Sequence, residues 1–417
     1  MPDLFNAARA QQYMEEFQID ALVATSAANV RYFSGHSCWL DPLFKQYMMC
    51  PGGSSRLTSP SYAVFQKDAP CTLVTAALTA VNAANIENID FCTYGNPGVD
   101  FSLLSAPATD IERKFLSLLR EAPRSATATD GLIAALRNRG LAEAAIGIEM
   151  EGLPKEILVT LSEALPRTEF RNCTNLIRLI RAVKTPAEIG LLARAAEIAE
   201  QAALESLALA HTGGHAADLV QHFRSQIGRH GADFDHFSFS LNGMGICADL
   251  PYPFCASDVV FIDFGCIYSS YFSDTGTTLA FSQLRPEMAK RHSALQACIA
   301  AGARAMRPGV KASVVQKAMQ QALAESGITD AFPHGHGMGL ELRDYPILVP
   351  ATGLRIKDDC IDIESDLPME VGMVINLEAP LFLPTAGALQ VEQSFIVRVE
   401  GNCELLFQDR SRPHIPA

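Results

Sequence analysis

The stretch Asp258-Val259-Val260-Phe261-Ile262-Asp263-Phe264-Gly265-Cys266-Ile267-Tyr268-Ser269-Ser270-Tyr271-Phe272-Ser273-Asp274-Thr275-Gly276-Thr277-Thr278-Leu279-Ala280-Phe281 carries two runs of apolar and β-branched residues around a short Tyr-Ser-Ser turn, and reads as a β-hairpin. Centred between Tyr268 and Ser269, the hairpin sets Asp274 opposite Asp263. A second hairpin, Met373 to Val399, turns at Leu383-Pro384-Thr385-Ala386-Gly387 and, centred on Thr385, sets Glu392 opposite Glu378. Like charges directly opposed in a sheet have Cβ atoms roughly 4.5–5.5 Å apart and destabilise it. All four acids also lie in apolar runs, where an unpaired charge is expensive. An edge-strand charge facing water accounts for any one of them alone. Two matched pairs point instead to a bound divalent cation, which reverses the sign of the local field.

A third element belongs with these hairpins. Pro333-His334-Gly335-His336-Gly337-Met338-Gly339-Leu340 sets two histidines among three glycines, a pattern of close backbone approach. A histidine beside glycines is often structural, but next to four carboxylates His336 becomes a candidate nitrogen ligand. Carboxylates plus imidazole suit two ions such as manganese, iron, cobalt or zinc, rather than a thiolate-type structural zinc site.

The rest of the chain bounds the reading. At 417 residues it exceeds the roughly 250–300 at which single cores stop growing, so two domains are expected. The net charge of −13 argues against a nucleic-acid partner, which needs clustered Lys and Arg. No apolar run approaches the roughly 18–20 residues that cross a bilayer, and Met1 to Phe17 reads as an amphipathic helix rather than a signal peptide. The eleven cysteines are odd in number, scattered and free of CxxC spacing, so they read mostly as small core residues in a reducing cytoplasm. No Gly-x-Ser-x-Gly or phosphate-binding glycine loop is present.

The first part alternates helical and strand-like segments: helices over Leu4–Phe17, Asp110–Glu121 and Gly131–Arg139, strands over Ala21–Ala24, Ser61–Gln66, Cys71–Val74, Ile89–Thr93 and Ile146–Glu149. This is an α/β pattern. Thr185-Pro186-Ala187-Glu188 carries the signature of a helix start, with a capping box and proline in the first turn. Helical patterns then run to Leu209 and over Ala216–Gly228, Arg285–Met306 and Ala312–Ser326, with strand pairs between and after them, an α+β arrangement. The boundary is placed at 1–175 and 176–417.

In order and near-spacing, Asp263, Asp274, His336, Glu378 and Glu392 resemble the ligand set of the pita-bread metalloenzymes, which include prolidase, aminopeptidase P, methionine aminopeptidase and creatinase. The matching motifs are Asp263-Phe-Gly265, Gly335-His336-Gly337-Met338-Gly339-Leu340, Glu370 to Glu378, and Val391-Glu392. Ile180 to Ile189 resembles the entry to the catalytic domain, and Asn29-Val-Arg-Tyr-Phe-Ser-Gly35 a strand-to-loop segment of the N-terminal domain in the prolidase and creatinase branch. The resemblance implies a creatinase-like α/β N-terminal domain and a pita-bread catalytic domain. It also implies two divalent metals bridged by hydroxide, with Asp263 and Glu392 bridging carboxylates, Glu378 placed to handle a proton, and a symmetric homodimer. In some relatives the loop corresponding to the one bearing Trp39 reaches the partner's active site; ordinary packing is the other account.

Three positions depart from the peptidase pattern. The upstream Leu-Pro-His is Leu250-Pro251-Tyr252, the second histidine is Arg343 followed by Asp344, and an arginine before the last ligand is Gln390. The region Gly353 to Asp366 lengthens the connection, as in creatinase. With both peptidase histidines replaced, Xaa-Pro peptidase activity is itself in question. Tyr252, Arg343, Asp344 and Glu378 are the candidate catalytic residues, with Arg343 suited to hold an anionic end of a small-molecule or short-peptide substrate. Three reactions stay open: hydrolysis of a dipeptide-like amide, cleavage of a non-peptide C–N bond as in creatinase, and elimination as in the dimethylsulfoniopropionate lyases of this fold. A binding protein without catalysis is the remaining class.

Overall fold

The computed structural model describes residues 4–37, 59–103, 105–107, 109–151, 153–248, 251–399, 403–409 and 411–416. Trp39, Cys38, Cys50 and Leu250 lie outside them. The chain divides into two compact units, one formed by Met1–Ile180 with Ile356–Ile363, the other by Arg181–Arg355 with Glu364–Ala417. The division falls between Ile180 and Arg181, inside the helix Thr174–Ala182, and the first unit is not one continuous segment.

The first unit is built on a seven-stranded mixed sheet: β1 (Ala21–Ala24), β2 (Tyr62–Gln66), β3 (Cys71–Ala76), β4 (Ile89–Tyr94), β5 (Arg124–Ser125), β6 (Ala145–Ile148) and β7 (Glu169–Asn172), in the order β5-β4-β3-β2-β1-β6-β7. Its pairs are parallel except β1–β2 and β2–β3. Helices over Ala128–Asn138 and Lys155–Ala164 supply Leu132, Leu136 and Leu161 to its core. The Asn29–Gly35 segment is a helix, Ala27–Ser34, and not a strand-to-loop passage. Ser26 caps it through the Asn29 N–H, the buried Glu149 carboxylate accepts the N–H groups of Thr25 and Ser26, and Gly35 ends it at φ 73°. Asp358 and Asp359, in the stretch that lengthens the second half, accept the N–H groups of Leu176 and Asn172.

The second unit holds two five-stranded antiparallel sheets. One contains β8 (Asp233–Ser240), β9 (Ile246–Cys247), β10 (Val259–Tyr268), β11 (Tyr271–Phe272) and β12 (Thr275–Ala280). The other contains β13 (His334–Gly337), β14 (Asp344–Leu348), β17 (Val374–Leu383), β18 (Gly387–Val397) and β19 (Cys403–Leu405). A short ribbon, β15 (Arg355–Lys357) with β16 (Asp362–Glu364), falls between β14 and β17 in the chain and belongs mostly to the first unit. Each sheet has its own core. Helices Pro186–Leu207 and Ala216–Arg229 pack Ile198, Leu207 and Phe223 against Phe237, Ile262 and Phe264. Helices Pro286–Ala305 and Ala312–Glu325 pack Leu295, Ile299 and Met319 against Ile375, Leu377 and Val391. The sheets meet where the Thr278 hydroxyl accepts the Gln390 N–H at 2.9 Å and donates to the Gln390 carbonyl at 3.0 Å. This seam brings the two carboxylate hairpins together.

The nine described cysteines are free thiols. Cys92, Cys173, Cys266 and Cys298 are buried, whereas Cys255 is exposed. Among the described residues no helix is long and apolar enough to cross a membrane.

Candidate metal centre

The first hairpin turns on Ser269 and Ser270, both in the left-handed region at φ 52° and 72°. Such a two-residue turn needs positive φ at both central positions. Its centre therefore lies one residue later than the sequence suggests, and the strands shift by two. Asp263 pairs with Gly276, and Asp274 falls between β11 and β12. A two-residue shift keeps side chains on the same face, so the two aspartates still converge. Each lies within hydrogen-bonding or ion-pair distance of one atom, His236 Nε2, at 2.9 Å from Asp263 Oδ1 and 3.3 Å from Asp274 Oδ1.

In the second hairpin Glu378 pairs with Glu392, as expected. Glu392 is buried and accepts the Asn376 amide on Oε1 and the Gln390 amide on Oε2, the latter at 2.7 Å. β13 lies beside β17, with His334 opposite Glu378 and His336 opposite Asn376. His336 is buried, with Nδ1 3.1 Å from the Gly337 carbonyl. A carbonyl only accepts, so Nδ1 carries the proton and the neutral ring has its lone pair on Nε2. That Nε2 has no hydrogen-bond partner and sits 3.2 Å from Asp274 Oδ2 and 3.6 Å from Glu378 Oε1. Glu378 Oε1 is likewise buried.

The electrostatics reflect an excess of acid. Burial pushes the Glu392 carboxyl well above the usual range, with the charges of Asp274, Asp263 and Glu378 adding to the effect. Burial also raises Asp263 against the opposing hydrogen bond from His236. Burial works the same way on Asp274, but His236 and His336 outweigh it and hold that carboxyl below its ordinary value. A buried histidine nitrogen facing carboxylates and a carboxyl pushed up by burial and by its acidic neighbours are both relieved by a cation, so the donors fit a divalent ion.

The other candidate residues divide. Arg343 is 62% exposed, with Nη2 4.0 Å from Glu378 Oε1, at the rim of the cluster. Asp344 does not join it. Its buried carboxylate pairs with Arg181 at 3.0 Å and Lys184 at 3.4 Å, and Arg181 also reaches Glu341 at 3.2 Å. Asp344 is therefore part of a buried ion network that ties β14 to the start of the unit, not a group facing substrate. Tyr252 packs on Phe254, and burial together with Asp258 pushes its phenol up to about 12. No described hydrogen bond or ion pair links Tyr252 to the cluster. Two histidines were not anticipated as site residues. His334 Nε2 lies 2.8 Å from Glu378 Oε1, and His236 stands between the aspartates. The only trace of His236 in the sequence is the alternation of Phe237 and Phe239 after it, which marks a strand without revealing its register.

A sequence profile of metallopeptidase family M24 matches residues 182–399, and one of the creatinase/prolidase N-terminal domain matches residues 7–183. The chain belongs to metallopeptidase family M24. Similar M24 sequences include an uncharacterized peptidase of Bacillus subtilis, 25% identical over 62% of this chain and 71% of that protein. Another is the Xaa-Pro dipeptidase of Pyrococcus horikoshii, 23% identical over 64% and 74%. Among solved structures, the Xaa-Pro dipeptidase of Bacillus anthracis superposes with a TM-score of 0.71 at 18% identity, covering 98% of both chains. The X-Pro aminopeptidase of Thermotoga maritima gives 0.70 at 18% identity, covering 98% and 99%. At these identities the superpositions establish the fold alone: a creatinase-type N-terminal domain followed by a pita-bread domain. M24 enzymes in general work with a pair of divalent ions.

Proposed function

We propose that this protein is a divalent-metal-dependent hydrolase of a small amide or dipeptide-like substrate bearing an anionic group, with Asp263, Asp274, His336, Glu378 and Glu392 holding two ions. The observation that carries this reading is the buried His336 Nε2, without a hydrogen-bond partner and facing two carboxylates. When bound, the metal pair would supply Lewis-acid polarisation of the scissile carbonyl and an activated water.

The chain's own residues do the rest. Glu392, fixed by the Asn376 and Gln390 amides, holds one carboxylate geometry between the two hairpins. Glu378, its buried Oε1 facing His336 and His334, accepts the proton released from water and returns it to the leaving nitrogen. The exposed guanidinium fork of Arg343 beside Glu378 recognises a carboxylate on the substrate.

Arg343 is also what favours a second reading, cleavage of a non-peptide C–N bond. A permanent cation replaces a proton-carrying histidine of the peptidases, so binding of an anionic substrate gains where proton shuttling is lost. Xaa-Pro dipeptides, guanidino acids and sulfonium acids, offered to protein of measured metal content, separate the readings by product: a released amino acid, urea or amine, or an alkene. Release of an alkene, or turnover unaffected by removing metal, contradicts the hydrolase.

A further inference from the structure

We infer that His236 is a sixth metal ligand, held in place by Asp235, so that the Asp263–Asp274 position has an imidazole of its own in addition to the one His336 gives the Asp274–Glu378 position. This rests on the metal reading above and extends it. The family resemblance supplies five ligands, and His236 is not among them.

Neighbouring residues on a regular strand point to opposite faces, so Asp235 and His236 should not meet. Here they do, because β8 carries a bulge. Gly265 pairs with His236 but Cys266 pairs with Phe234, leaving Asp235 as the extra, unpaired residue. Bulges re-aim side chains in this way. The Asp235 carboxylate Oδ2 lies 2.7 Å from His236 Nδ1 and keeps a proton there, so that the nitrogen free to bind a cation in place of a proton is Nε2. A carboxylate on the far nitrogen is the arrangement that orients metal-bound histidines and raises their basicity.

The opposite nitrogen is aimed where a ligand must be. One ligand atom each from His236, Asp263 and Asp274 lies within 4.8 Å of the others, the compact set a single ion needs. Gly265 completes the fit. A Cβ there would come within 2.6 Å of the His236 ring and 2.3 Å of the Ser273 carbonyl, so only glycine lets the imidazole lie across β10. With an imidazole at each position, the pair gains borderline character, favouring zinc or cobalt over manganese more than carboxylates alone would.

The test is metal titration of the full-length apo-protein with Zn²⁺, Co²⁺ and Mn²⁺, followed by calorimetry, elemental analysis and, for Co²⁺, visible absorption. Wild-type protein should bind two ions. His236→Ala and the more conservative His236→Gln should each lose at least about tenfold in affinity at one position, with the loss larger for Zn²⁺ than for Mn²⁺ and a changed Co²⁺ spectrum. Asp235→Asn should weaken the same position by about 10–100-fold. Circular dichroism and melting curves identify any variant that fails to fold, and the Asp235→Asn result decides the matter if both His236 variants do. Two ions bound by wild type, with unchanged affinities and spectrum in the folded variants, overturns the ligand assignment and leaves the hydrolase reading standing. A wild-type protein that binds no divalent ion overturns both.

Discussion

Asp263 stands directly opposite Gly276 across the β10–β12 ladder, and the space a side chain would fill at Gly276 is taken by the carboxylate of Glu392. A Cβ at that position would sit 2.4 Å from Glu392 Oε2 and 2.6 Å from the Gln390 side chain. The missing Cβ allows the acid of one hairpin to enter the face of the other.

Gly276→Ala should therefore push Glu392 out of its place. Overpacking of this kind costs about 1–3 kcal/mol, and metal affinity should fall at least tenfold. Urea denaturation and elemental analysis check both, and an alanine variant with full metal content would show that Glu392 can move aside.

Asp344 is expected to matter for stability rather than chemistry. Asp344→Asn leaves Arg181 and Lys184 buried with reduced compensation, which typically costs about 3–5 kcal/mol. Denaturant midpoints measure this. A variant of unchanged stability that is catalytically dead would return Asp344 to the active site.

The same region gives a pH dependence. Burial pushes the Glu188 carboxyl up to about 7, against the pull of Lys184. A carboxyl whose folded value lies above its unfolded value near 4.5 contributes stability that is present below about 4.5 and lost as pH rises toward 7. Glu188→Gln keeps an acceptor for the Thr185 N–H and removes the titration. The stability of the variant relative to wild type should rise between pH 5 and 7.5, by up to about 3 kcal/mol. Parallel curves for the two proteins would contradict this.

Arg343→Lys should raise KM about tenfold or more on the substrate found by the screen, with metal content unchanged, because an ammonium lacks the guanidinium fork. Unchanged KM would return Arg343 to the role of a surface charge.

What the sequence reveals of this architecture follows from how local each signal is. The β17–β18 register was legible because its turn is centred on Thr385 and the pairing Leu383↔Gly387 is symmetric about it. The β10–β12 register was missed by two residues because two serines take a left-handed turn that glycine or asparagine usually marks. The helix Ala27–Ser34 was hidden by its aromatic and β-branched residues and is secured by Glu149, more than a hundred residues away. Asp344 looked catalytic beside Arg343, since its partners Arg181 and Lys184 are 160 or more positions distant. His236 stayed invisible because it meets the aspartates only through the β8–β10 pairing, with Asp263 27 positions further along the chain.

The central claim is that four carboxylates and an imidazole are assembled to hold two divalent ions. Elemental analysis of the purified protein after Mn²⁺, Co²⁺ or Zn²⁺ loading and dialysis, with Asp263→Ala and Glu392→Ala in parallel, addresses it most directly. The account predicts two ions per wild-type chain and loss of binding in both variants while each remains folded. Two ions retained by either folded variant, or none bound by wild type, would contradict it.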